Sequence, residues 1–73
     1  MLEKIITIST DFITLGQLLK LANVISSGAE AKYYLASNEV LVNDIYENRR
    51  GKKLYSGDKV TFVKNNLTIT LKK

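Results

Sequence analysis

Four basic side chains fall within five positions at Arg49-Arg50-Gly51-Lys52-Lys53. Guanidinium groups fork onto phosphate oxygens, and lysines add point charge without demanding a fixed geometry, so a run of this kind suits a phosphate-rich ligand. Gly51 between the two dibasic pairs is expected to let the backbone turn sharply, so that both pairs face one partner. The surrounding charge agrees. Residues 1–31 hold Lys4 and Lys20 against Glu3, Asp11 and Glu30, a balance of −1. Residues 32–73 hold nine Lys or Arg against Glu39, Asp44, Glu47 and Asp58, a balance of +5, and the whole chain carries +4. A localised positive excess suggests a polyanionic partner, although a solvated loop that aids solubility is the plain alternative.

The remaining chemistry is sparse. Cysteine and histidine are both absent, which removes disulfides, thiolate metal sites, the commonest general base and the commonest neutral metal ligand. Nothing in the spacing of Asp11, Asp44 and Asp58 supports a metal site, and Asp58 after Gly57 reads as a turn former. Neither cofactor nor catalytic activity is therefore expected.

Lys32 lies near the start of a helix, where no positive charge is needed to offset the dipole, so it is a candidate ligand contact. Lys20 falls on the polar side of the preceding helix and is a weaker candidate, while Lys72 and Lys73 fit a solubility role at the terminus. Of the four tyrosines, Tyr34 has core phase. Tyr33 is out of phase beside Lys32, and Tyr46 and Tyr55 flank the basic run, where either could brace it or touch a ligand. Asn43 reads first as a turn former, with ligand contact secondary.

The elements that must position these groups are legible as periodicities. Residues 4–9 are rich in β-branched side chains, Ile5, Ile6, Thr7 and Ile8, and predict a short strand. Thr14 and Gln17 stand as Ncap and N3 of a capping box, with Ile13 and Leu18 as a hydrophobic staple. Leu15, Leu18, Leu19, Ala22 and Ile25 follow at helical spacing. Ser26-Ser27-Gly28 breaks this helix, Ser27 and Glu30 form a second capping box, and Ala31, Tyr34 and Leu35 supply the next buried stripe up to an αL stop at Asn38. Val40-Leu41-Val42 is a strand and Asn43-Asp44 a turn. Ser56-Gly57-Asp58 turns into Val60-Thr61-Phe62-Val63, and Lys64-Asn65-Asn66 closes a hairpin whose return strand places Leu67, Ile69 and Leu71 on one face. The order predicts an α+β fold with a helix pair packed on a small, mainly antiparallel sheet.

The run Leu18-Leu19-Lys20-Leu21-Ala22, Ile25, Ser27-Gly28, Glu30-Ala31-Lys32 resembles the helix pair of the S4 RNA-binding domain. Val40-x-Val42-Asn43, Arg49-Arg50-Gly51-Lys52-x-Leu54 and Gly57-Asp58-x-Val60 continue the pattern in order, so the resemblance covers roughly residues 12–63. The N-terminal strand and Asn48-Arg49-Arg50-Gly51 look most like the small stand-alone bacterial S4 proteins, the YaaA group. The resemblance implies non-catalytic binding of structured RNA, ribosomal or transfer RNA, through the helix pair and the 48–53 loop. Lys32, Asn43, Asn48, Arg49, Arg50, Lys52 and Lys53 are the residues implied to make contact. One position departs from the pattern: many S4 domains carry arginine after the serine at the second helix start, where this chain has Gly28. Either Lys32 replaces that phosphate contact, or the helix start offers backbone N–H groups to a phosphate.

With 73 residues the chain is expected to be one domain, 1–73, of modest stability, on the order of 3–5 kcal/mol. It shows no secretory signal and no membrane span, so a cytoplasmic protein is expected, and its size favours a monomer. A protein-interaction module recognising an acidic partner is the alternative function. Specific DNA readout is disfavoured, because the second helix has few base-reading side chains beyond Lys32 and Asn38.

Overall fold

The computed structural model describes residues 2–73. Strands β1 (Leu2–Thr7) and β2 (Ile13–Thr14) precede helices α1 (Leu15–Leu21) and α2 (Glu30–Ser37). Then come β3 (Val40–Val42), β4 (Ile45–Tyr46), β5 (Lys53–Leu54), β6 (Lys59–Phe62) and β7 (Leu67–Lys72). Five strands form one sheet in the order β1-β7-β6-β3-β4, and β2 and β5 form a separate antiparallel ribbon. The fold is α+β, as the element order predicts.

Register explains which face of the sheet the helices cover. Val40 pairs with Phe62, Val42 with Val60, Val60 with Ile69 and Phe62 with Leu67. The period of two sends these residues to one side and Leu41, Thr61, Thr68 and Thr70 to the other. The first set joins Leu15, Leu18 and Leu19 of α1 and Ala31 and Leu35 of α2 in one buried cluster. Ile8, Ile13 and Leu54 also belong to it, and their positions outside any long periodic run conceal this in the sequence. Ala22 and Tyr34, expected in the core, are only partly buried and pack at its margin. The Tyr34 hydroxyl donates to Asn65 Oδ1 at 2.6 Å, its ring meets Phe62 edge-on, and partial burial raises its pKa.

Several boundaries differ from those expected. The first strand runs 2–7 rather than 4–9, parallel to β7, with Leu2 opposite Leu67 and Thr7 opposite Lys72. The Thr14–Gln17 capping box forms in both directions. Helix α1 nevertheless ends at Leu21 instead of continuing to Ile25. Asn23 takes φ 59°, its N–H bonds the Lys20 carbonyl at 3.1 Å, and the Val24 N–H bonds the Leu19 carbonyl at 3.0 Å. This is a Schellman stop with asparagine in the glycine position, and it returns Ile25 to the core and Val24 to its margin without helix. Asn38, the expected αL stop of α2, is instead extended, and its side chain donates to the Tyr34 carbonyl at 3.1 Å.

The second capping box is half made. Glu30 Oε1 accepts from the N–H groups of Ser26 and Ser27 at 3.1 Å each, but the Glu30 N–H bonds the Ser27 carbonyl rather than its hydroxyl. A tight turn therefore precedes α2, whose N-cap is Ala29.

Candidate nucleic-acid interface

The basic loop is built onto the start of α1. The Leu15 N–H donates to the Lys52 carbonyl and the Gly16 N–H to the Arg50 carbonyl, both at 2.9 Å, while Gln17 is capped by Thr14. Donors that a helix start leaves without intrahelical partners are thus satisfied by the loop backbone, which is immobilised in return. The ribbon continues the attachment, with Thr14 opposite Lys53 and Ile13 opposite Leu54. The loop comes close at Gly16, where a Cβ would meet the Arg50 carbonyl oxygen at 3.4 Å and the Ala31 Cβ at 3.7 Å, ordinary contact distances. The chain turns at Arg50–Gly51 as expected, without a positive φ at Gly51, whose surroundings are open. That turn is closed by the Lys52 N–H on the Arg49 carbonyl.

With the backbone held, the candidate side chains separate into different environments. Arg50 is exposed and lines a groove of about 420 Å³ between α1, the turn before α2 and the loop, together with Gln17, Lys20, Gly28 and Ala31. Lys32 is exposed one helical turn beyond Gly28. Asn48 is exposed on the loop. Lys53 is exposed and places its Nζ 4.9 Å from the centroid of the Phe12 ring.

The other candidates are engaged within the protein. Arg49 Nε donates to Glu47 Oε2 at 2.9 Å and Nη2 to Oε1 at 3.0 Å, and the Arg49 backbone N–H also reaches this carboxylate. The Arg49 hydrogen bonds, helped by the positive fields of Arg49 and Lys52, lower the Glu47 pKa to about 2. The Glu47 side chain keeps only 11% of its accessible surface, whereas Arg49 keeps 71%. Asn43 adopts positive φ with Asp44, donates from its amide to Asp58 Oδ1 and accepts from the Lys59 N–H. Its first reading, as a turn former, describes these bonds. Lys52 is half-buried beside Glu47 and Asp58 in a second groove.

Two further expectations change. The start of α2 is not bare: the Glu30 and Ala31 N–H groups bond the Ser27 and Gly28 carbonyls, and the Glu30 carboxylate takes the N–H groups of Ser26 and Ser27 in the preceding turn. A side chain at Gly28 would meet open space, so no close packing requires glycine there. Lys73, read as a solubility residue, bonds Asp11 at 2.8 Å across an exposed surface.

This arrangement of a helix pair, a basic loop docked on the first helix and a small sheet coincides with a family match. The family model described as S4 domain matches residues 6–70. The chain belongs to the S4 domain family. It is also similar to the probable ribosome maturation protein RlbA of Bacillus subtilis (strain 168), with 64% identity over 55 residues, covering 75% of this chain and 78% of that protein. The sequence pattern missed Phe12, an isolated aromatic with no periodic context, and ranked Lys20 low. Its proximity to Arg50 depends on the loop folding back onto α1. Among the described residues no helix is long and apolar enough to cross a membrane.

Proposed function

We propose that this chain binds structured RNA without catalysing a reaction, as one domain spanning residues 1–73. It acts as a cytoplasmic monomer, and ribosomal RNA within immature or stalled ribosomal particles is the target. The observation that carries the reading is the groove shared by Arg50, Lys20 and Gly28, whose wall is held rigid by the bonds from Leu15 and Gly16 to the loop carbonyls. A backbone already fixed leaves only the side chains to be ordered when cations meet phosphates. Membership of the S4 family and similarity to a probable ribosome maturation protein support the choice of ribosomal RNA.

Lys20, Lys32, Arg50 and Lys53 provide the phosphate contacts, with Asn48 on the same loop. Crosslinking in cells followed by sequencing of bound RNA tests the proposal, with Arg50→Ala as the comparison. Enrichment of one ribosomal RNA site that falls in the Arg50→Ala strain is expected. Recovery of proteins alone, with no enriched RNA, would favour recognition of an acidic protein partner instead.

A further inference from the structure

The β2–β5 register has a consequence beyond the basic loop. Ile13 opposite Leu54 and Thr14 opposite Lys53 set Phe12 and Tyr55 opposite one another at the next step. Ile13 and Leu54 point into the core, so alternation brings Phe12, Thr14, Lys53 and Tyr55 to the outer face of the ribbon. The Phe12 and Tyr55 ring centroids are 6.0 Å apart at 51°, and the Lys53 ammonium lies over Phe12. Phe12 remains 38% exposed and Tyr55 49% exposed. Tyr55 also lines the groove of about 300 Å³ that holds Lys52 and Lys53.

We propose that Phe12 and Tyr55 form a stacking platform for one unpaired base, so that the preferred RNA is a helix interrupted by an unpaired nucleotide rather than a continuous duplex. This rests on the reading of the chain as an RNA binder. A base offers a flat π-face for the rings, and its own backbone brings a phosphate to the adjacent lysines. A purely apolar partner would have to desolvate Lys53 without replacing its water. In the free protein Lys53 covers Phe12 by a cation–π contact, and on binding its ammonium transfers to the phosphate and uncovers the ring. Stacking on an aromatic side chain is sequence-tolerant, so the platform selects for an unpaired position and not for base identity.

The test compares two RNA duplexes of the same stem, one fully paired and one with a single bulged 2-aminopurine, at about 50 mM salt, where phosphate contacts are strong. The wild-type protein is expected to prefer the bulged duplex by about 5- to 150-fold, the span found for single stacked bases, and to quench its fluorescence. Tyr55→Leu keeps an apolar side chain and the backbone N–H that bonds Asp58, so its fold should persist. This variant should lose preference and quenching while binding the paired duplex as before, and Tyr55→Phe should retain both. Equal binding of the two duplexes without quenching would overturn the platform, provided that Arg50→Ala still weakens both, which leaves the RNA-binding reading standing. Unaltered preference and quenching in Tyr55→Leu would also overturn it. Failure of the wild-type protein to bind either duplex would overturn the RNA-binding reading and this inference together.

Discussion

Replacing Glu47 by Gln should strengthen RNA binding and steepen its salt dependence. In the native loop the Arg49 guanidinium is paired with both carboxylate oxygens of Glu47 at 2.9 and 3.0 Å, so the pair presents little net charge to a phosphate. Lys20, Lys32, Arg50 and Lys53 remain open on the proposed surface. Four contacts at about −0.9 each give a slope of log affinity against log salt near −3.6, taking the duplex value as a guide. Glu47→Gln removes the opposing charge and releases Arg49 as a fifth contact, so the slope should move to about −4.5. Between about 50 and 200 mM salt the variant should then lose a further ~3.5-fold in affinity relative to the wild type. Arg50→Ala should reduce the slope's magnitude by about 0.9, and Arg49→Ala by much less. Fluorescence anisotropy titrations at several salt concentrations, with circular dichroism to verify folding, measure all four proteins. A folded Glu47→Gln protein with the wild-type slope would refute the argument. So would an Arg49→Ala slope change equal to that of Arg50→Ala, since Arg49 would then reach RNA with Glu47 still beside it.

The same ion pair links stability to pH. The folded-state pKa of Glu47 lies near 2, below the ordinary value of 4.5, so its contribution is present above about pH 4.5 and is lost as pH falls through about 2. Thermal melts from pH 5 to pH 2 should therefore show a shallower decline for Glu47→Gln than for wild type, the difference being small because the Arg49 partner is solvent-exposed. Leu19 is fully buried, and Leu19→Ala should cost about 2–5 kcal/mol by denaturant titration, a large share of the total for so small a domain. Asn23 ends α1 at positive φ, so Asn23→Ala should destabilise by about 1 kcal/mol while Asn23→Gly is neutral or better, as melting temperatures will show. Gly28→Arg should fold normally, because a side chain there enters open space, and should tighten RNA binding by about 1.5 kcal/mol or less in the same anisotropy assay.

Features set by neighbours a few residues apart were legible in the sequence. The Thr14–Gln17 capping box, the alternation of Val60 and Phe62 and of Leu67, Ile69 and Leu71, and the Tyr55–Asp58 turn with Gly57 at φ 96° each depend on local geometry. The helical period misled at Ile25, because a residue returned to the core by a left-handed stop has the same hydrophobicity as one carried there by another helical turn. Basic residues could be found by type, but their availability could not. Arg49 and Arg50 are adjacent and chemically identical, yet one closes on Glu47 and the other faces the groove beside Lys20. That difference, the parallel pairing of β1 with β7, the approach of the loop at Gly16 and the placing of Phe12 against Tyr55 were decided only by tertiary structure. Periodicity states which face of a segment avoids water. It does not name the segment that covers that face, since strand partners are chosen by the register that satisfies backbone bonds and buries the shared core together.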